Sequence, residues 1–362
     1  MRSRLAWASV YSLLAVLPSC SGATFYPEID AAHVREAGAI ADAGVDAPLP
    51  LAADAAIVPS DMGAAHTLGP PYPIVFAHGF FGFQHFAGLD YIDYFFHVQQ
   101  TLAAAGETNV YFTAVDPFNT SEVRGAQLAA QIQHILDTTG YRRVVIVGHS
   151  QGGLDARVVA HDHPEWVAAV YTIATPHGGS DVSNVVDQLV TNQSFRDAVN
   201  ALASLVYSPL YDAAGATTSV WLGIDQFNEV NTAAFNAAYP DVPSVPYFSI
   251  GGRSALSDGG DDCRVSGRPS FITRYDHDND PIDPLLSVFG LILNGNNSLA
   301  PIPNDGLVTV PSSRHGTFLG CIPADHLDEV GQLLGDSPGA FNDFDHFTFY
   351  RDLVTFIRAR GD

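Results

Sequence analysis

From about residue 72 onward the chain alternates short apolar runs with amphipathic stretches. Pro73 to Ala77, Val110 to Val115, Val144 to Val147, Ala168 to Ala174, Val245 to Ile250 and Leu307 to Val310 read as strands. Most are near-continuous in Val, Ile, Ala and aromatics, as expected of strands covered on both faces. Between them, Leu128, Ile132, Ile135 and Leu136 recur at helical spacing, and Asn119 with Glu122 forms a capping-box signal ahead of them. Leu154 to Ala160 is helix-compatible, and Phe347, Tyr350, Val354 and Ile357 mark a final amphipathic helix. This alternation predicts an α/β fold with a mostly parallel central sheet and helices on both faces. Residues 181–240 break the rhythm. They read as loosely amphipathic helices, including Val185 to Val190 and Ala198 to Tyr207, and predict a helical lid inserted between two strands.

The amino-terminal region has a different texture. Arg2 and Arg4 precede an apolar run, Leu5 to Leu17, that is short for a bilayer span. Residues 1–20 therefore read as an export signal. Its end, Leu17-Pro-Ser-Cys20, is similar to a lipobox, which predicts cleavage before Cys20 and lipidation of that cysteine. Free secretion after ordinary cleavage is the competing outcome. Residues 21–70 are dominated by Ala, Asp, Gly and Pro and predict a disordered tether, because such a stretch buries too little surface to offset its ordering entropy. The catalytic domain is then expected over residues 71–362. Lipidation of Cys20 leaves Cys263 and Cys321, and export to an oxidising compartment predicts a disulfide between them.

Charge narrows the partners. The formal net charge is −23, and all sixteen basic residues are Arg. So acidic a chain is a poor nucleic-acid binder. The expected outer-membrane or extracellular protein is a monomer that meets a membrane only through its lipid anchor.

The strand Val144 to Val147 runs into Gly148-His-Ser-Gln-Gly152, followed by a helix-compatible segment. Strand, tight G-x-S-x-G turn and helix together describe a nucleophile elbow, with Ser150 as the nucleophile. Such a serine needs a base, an orienting acid and an oxyanion hole. His326 is the candidate base, lying in a loop that enters a helical run, with His315 and His346 as rivals. Asp305, in the turn signature Asn304-Asp-Gly306, is the candidate acid. Asp325 and Asp328 are alternatives, but both sit close to His326 in sequence. The expected oxyanion donors are the backbone N–H groups of Gln151 and of Phe80 in the loop after the first strand. The aromatic run Phe80, Phe81, Phe83, Phe86, Tyr91, Tyr94, Phe95 and Phe96 combines core packing with a hydrophobic acyl cleft.

Seven segments, in order, carry a resemblance. They are Tyr72-Pro-Ile-Val-Phe-Ala-His-Gly-Phe-Phe-Gly82; Asp116 with Thr120-Ser-Glu-Val-Arg-Gly125; Gly148-His-Ser-Gln-Gly-Gly153; Ala174-Thr-Pro-His-Gly-Gly-Ser-Asp181; Phe235-Asn-Ala-Ala-Tyr-Pro240; Asn304-Asp-Gly-Leu-Val308; and His326-Leu-Asp-Glu-Val330. Over residues 72 to about 360 the chain resembles the secreted, foldase-dependent triacylglycerol lipases of Pseudomonas and Burkholderia. The resemblance implies an α/β-hydrolase fold, a Ser150–Asp305–His326 triad and Phe80 and Gln151 as oxyanion donors. It implies lipid esters at an oil–water interface as substrate, and a lipase-specific foldase as partner. It also implies a structural Ca²⁺ held by the carboxylates of Asp283 and Asp328 and the carbonyls of Gln332 and Asp336. Hard oxygens suit that ion, and Asp276, Asp278 and Asp280 rival Asp283. Two features depart from the family. The family's usual disulfide places one cysteine six residues after the acid, where this chain has Pro311, and Cys321 comes later. The lipobox and acidic tether are not the family's usual leader, which puts foldase dependence in question. Two other activities fit the same motifs, a carboxylesterase for shorter esters and a catalytically inert lipid-binding protein of hydrolase fold.

Overall fold

The computed structural model describes residues 66–80, 82, 94–184, 220–254, 259–284, 286, 287, 289, 293, 302–332, 335, 338, 339 and 342–362. These fall in one compact unit, Pro59–Asp362. The expected leader, Cys20 and most of the tether lie outside the described residues, as do the middle of the expected lid (185–219) and Asp336. No helix among the described residues is long and apolar enough to cross a membrane.

Among the described residues, six strands form one parallel sheet in the order β2-β1-β3-β4-β5-β6. They are β1 (Ile74–Ala77), β2 (Val110–Phe112), β3 (Val144–His149), β4 (Val167–Ile173), β5 (Tyr247–Gly252) and β6 (Thr317–Ile322). Successive strand residues point to opposite faces, so each strand feeds two cores. Val145 and Val147 pack with Ile74 and Phe76 against Leu102 and the carboxy-terminal helix His346–Ala359. Val144 and Ile146 pack with Val75 and Ala77 against Leu128, Ile132, Val159 and Ala160. Those four belong to α2 (Ser121–Thr139) and α3 (Gln151–Asp162). Strand order reverses between β1 and β3. In open α/β sheets the crevice at the carboxyl ends beside such a reversal is where ligands bind.

Several local expectations change in the folded chain. Leu307 to Val310 is not a strand. Asn304 and Thr309 pair across a tight antiparallel bridge and Val310–Ser313 turns into a short helix. The sixth strand is instead Thr317–Ile322, a segment interrupted by Gly320 and too weakly patterned to read as a strand. The capping box does not form. Thr120 is the N-cap of α2 and makes no side-chain cap bond, while Asn119 Oδ1 accepts from the Thr120 amide. His346, a rival candidate for the base, is buried and its Nε2 lies 3.0 Å from the Phe96 carbonyl oxygen. The end of the expected tether is held to the body: the Leu68 amide donates to the Gly140 carbonyl and the Arg142 amide to the Leu68 carbonyl. The Cys263–Cys321 disulfide is formed and closes a separation of 58 residues.

Candidate active site

The site is built at the switch point, on the loops that leave β1, β3 and β6 and on the turn at 304–309. Ser150 follows β3 with φ 54° and ψ −129°, a conformation costly for a residue with a side chain. The turn holds it because both flanking glycines are hemmed in. A Cβ on Gly148 would lie 2.5 Å from the Gly152 carbonyl and the Gly153 nitrogen, and one on Gly152 would collide with the Ala77 carbonyl. This is the close packing that a G-x-S-x-G elbow requires.

The three candidate side chains meet. His326 Nε2 lies 2.9 Å from Ser150 Oγ. His326 Nδ1 lies 2.8 Å from Asp305 Oδ2. Asp305 is fully buried, and its Oδ1 accepts the Leu307 and Val308 amides at 2.8 and 2.6 Å. The turn at 304–309 is therefore a cradle for this carboxylate, which accounts for the missing strand. The His326 amide also donates to the Asp305 carbonyl, tying the two loops together. Neither rival base is here. His315 pairs with Asp241 at 2.8 Å and stacks on His177, and His346 is the first residue of the carboxy-terminal helix. Of the alternative acids, Asp325 accepts the Leu327, Asp328 and Asp283 amides, which shapes the base loop without orienting the ring.

The loop after β1 lies directly over the serine. A Cβ on Gly79 would stand 2.6 Å from Ser150 Cβ, so only a bare backbone passes here. Gln151 opens α3, and the first amides of a helix have no partner within it. The Gln151 side chain turns away and donates to the Asn119 carbonyl at 2.8 Å. The Phe80 ring packs edge-on against Phe118 and Phe227.

Arg124, on α2, holds that loop from beneath. It is fully buried, donates from Nε to Asp155 Oδ2 at 2.8 Å, and reaches the carbonyls of Asp116, His78 and Gly79. His78 is buried beside it and takes a hydrogen bond from the Val115 amide at Nε2. Burial, with the Arg124 charge adding, drives the His78 imidazole down to about 3. Removing one member of a buried ion pair typically costs about 3–5 kcal/mol. Arg124→Met should therefore shift the urea midpoint strongly and lower turnover, because three loop carbonyls lose their donor. In the double variant Arg124→Met/Asp155→Leu, stability should recover while turnover stays low. Full activity in the double variant would remove the loop-holding role.

A second cluster backs the base loop. Carboxylate oxygens of Asp280, Asp325 and Asp328, all buried, lie within 4.8 Å of one another. Asp280 Oδ2 accepts no hydrogen bond. Burial, reinforced by Asp325, raises the Asp280 carboxyl to about 8. Burial raises Asp325 to about 6. Asp283 stands alongside, donating its amide to Asp325 Oδ2 at 2.7 Å. Gln332 lies close by in sequence, its side chain donating to the Tyr94 carbonyl. So Asp280, weighed as a rival, is the carboxylate that converges with Asp328, and Asp325 joins them.

Sequence reasoning gave no polar role to Glu329, His149 or Tyr94. Glu329 is fully buried, and its Oε2 lies 2.7 Å from His149 Nε2 and 3.9 Å from His326 Nδ1. Burial, with Asp305 and the neighbouring aspartates adding, holds its carboxyl well above the ordinary value. The spacing of Glu329 three residues after His326 was the only available signal.

The chain belongs to the alpha/beta hydrolase fold family, whose pattern matches residues 72–254. Within that family its sequence relatives include bacterial triacylglycerol lipases. The one from Vibrio cholerae is 32% identical over 309 residues, spanning 80% of this chain and 86% of that protein. The one from Burkholderia plantarii is 28% identical over 373 residues, spanning 92% of each. Among solved structures, the Staphylococcus hyicus lipase shares the fold with a TM-score of 0.54 at 18% identity, over 81% of this chain and 98% of that one.

Proposed function

We propose that this protein is a serine ester hydrolase that acts on long-chain acylglycerols through an acyl-enzyme. One observation carries the reading: an unbroken contact chain runs from Ser150 Oγ through both ring nitrogens of His326 to Asp305 Oδ2. The triacylglycerol lipases among its relatives supply the substrate class.

Ser150 Oγ attacks the ester carbonyl carbon as His326 Nε2 removes its proton. Asp305 accepts from Nδ1, keeps the correct tautomer and stabilises the imidazolium that forms. The tetrahedral oxyanion faces the Phe80 and Gln151 amides, aimed before the charge develops. His326 then passes its proton to the leaving alcohol oxygen, which breaks the ester bond and leaves acyl-Ser150. A water repeats the cycle and frees the acid.

The acidic cluster fits a hard divalent cation, because buried carboxylates without a countercharge are costly. The family resemblance makes calcium the ion proposed. Asp280, Asp325 and Asp328 would hold it, with Asp283 at the rim, and it would supply fixed positive charge behind the His326 loop. Gln332 and Asp336 complete the ligand set that the family resemblance implies. Export, a lipid on Cys20 and a foldase partner belong to the same reading.

A fluorophosphonate probe tests it. The probe should bond to Ser150, found by peptide mass spectrometry, with parallel loss of hydrolysis across esters of graded acyl length. Turnover should rise toward long acyl chains at an oil–water interface. An unlabelled serine sinks the mechanism, and activity confined to short soluble esters sinks the acylglycerol assignment.

A further inference from the structure

His149 has no part in the proposed chemistry, although it directly precedes Ser150 and is fully buried. Both of its ring nitrogens are engaged. Nδ1 lies 2.7 Å from Tyr94 Oη and Nε2 lies 2.7 Å from Glu329 Oε2. Tyr94 reaches the loop after β1. A Cβ on Gly79 would fall 2.6 Å from the phenol oxygen, and the Gly79 amide is within hydrogen-bonding reach of that oxygen. At the other end, Glu329 sits on the base loop, and the rings of His149 and His326 are 4.7 Å apart. A continuous polar chain thus runs from the loop bearing Phe80, past the elbow, to the loop bearing His326.

We infer that Tyr94 and His149 are positioning residues, which hold the oxyanion loop, the nucleophile elbow and the base loop in reacting register. The inference rests on the reading of Ser150 as nucleophile. Three loops from different strands must agree to within a fraction of an ångström for the reaction geometry to form. Apolar side chains could fill the same space, but dispersion contacts carry little direction, whereas hydrogen bonds have narrow distance and angle preferences. Buried polar groups are tolerated only when satisfied, and a satisfied network rigidifies what it joins. Burial, with His326 adding, lowers the His149 imidazole well below its ordinary value. Burial likewise raises the Tyr94 phenol. A neutral ring offers one donor and one acceptor, which gives the chain a direction. Tyr94 keeps its packing role without the hydroxyl, since its ring also meets Phe95 at 5.2 Å.

Tyr94→Phe deletes only that hydroxyl, and His149→Asn keeps a group able to meet Tyr94 while losing the contact to Glu329. The readout is kcat per fluorophosphonate-titrated site on a soluble short-chain ester, so that misfolded protein is not counted. Each variant should lose about 10-fold in kcat per site with KM within about 2-fold, the size usual for groups that orient a reacting residue. The double variant should fall no further than the worse single one, because the chain acts as a unit. A purely structural role would lower the titratable fraction and leave kcat per site untouched. Unchanged kcat per site in Tyr94→Phe, or losses that multiply in the double variant, overturns the inference while leaving the Ser150 reading intact. Failure of the wild-type protein to label at Ser150 would remove the reading itself.

Discussion

Replacing Ser150 with Ala should reduce ester turnover by on the order of 10⁶-fold while the protein stays folded, the loss seen when an acyl-transfer nucleophile is removed. The fold should tolerate the change. Ser150 is 8% exposed and its hydroxyl bonds to His326 Nε2, a ring that stays tied to Asp305 through Nδ1. Alanine also accepts the backbone at φ 54° no worse than serine does. Thermal melting should therefore move little. Residual hydrolysis would come from the oxyanion loop and binding alone. Turnover within ten-fold of wild type, measured on protein free of contaminating esterase, would show that another group carries the attack.

Chelation by EDTA should destabilise the protein most at alkaline pH. Asp280 is raised from 3.8 to about 8 and Asp325 from 3.8 to about 6, in both cases first by burial. Without a cation, the folded state binds protons at these sites that the unfolded chain has already released above pH 3.8. Stability from these groups is then fully present below about pH 4. It is lost as pH rises through 6 toward 8, by on the order of several kcal/mol at most. A bound divalent cation keeps the carboxylates ionised and removes that slope. EDTA should therefore lower the melting temperature clearly at pH 8.5 and much less at pH 5, with added calcium restoring it. Equal melting curves with and without EDTA at pH 8.5 would rule out a structural cation at Asp280, Asp325 and Asp328. A larger effect at pH 5 would reverse the sign and contradict the assignment of charge.

Much of this site is legible without coordinates, for an identifiable reason. The elbow is a local object: Val144 to Val147 is too apolar for a surface segment, and Gly148 and Gly152 leave room for a turn that few other residues permit. The buried strands are legible because burial on both faces removes polar alternation. His326 and Asp305 were reachable because chain order in this fold limits where a base and an acid can stand. The same local logic fails at Leu307 to Val310, which has strand composition. There the Asp305 carboxylate takes two backbone amides, and the chain turns instead of pairing. It fails again at the capping box, where Asn119 bonds its neighbour's amide and Asp116 rather than the helix end.

What the sequence determined by itself is the order of elements, the two-sided burial of the sheet and the tight Gly148–Gly152 turn, because each depends on residues within a few positions of one another. Tertiary structure decided which partners those elements acquire. The carboxylates that converge with Asp328 are Asp280 and Asp325, with Asp283 beside them, and the groups that hold the loop after β1 are Arg124 and Tyr94. The buried acid beside the base is Glu329, whose contact with His149 spans 180 positions of chain. Such contacts are set by how loops from separate strands close over a common sheet edge, and the energy that selects them is the burial of charge and hydrogen-bonding groups. That quantity exists only once the chain has folded around them.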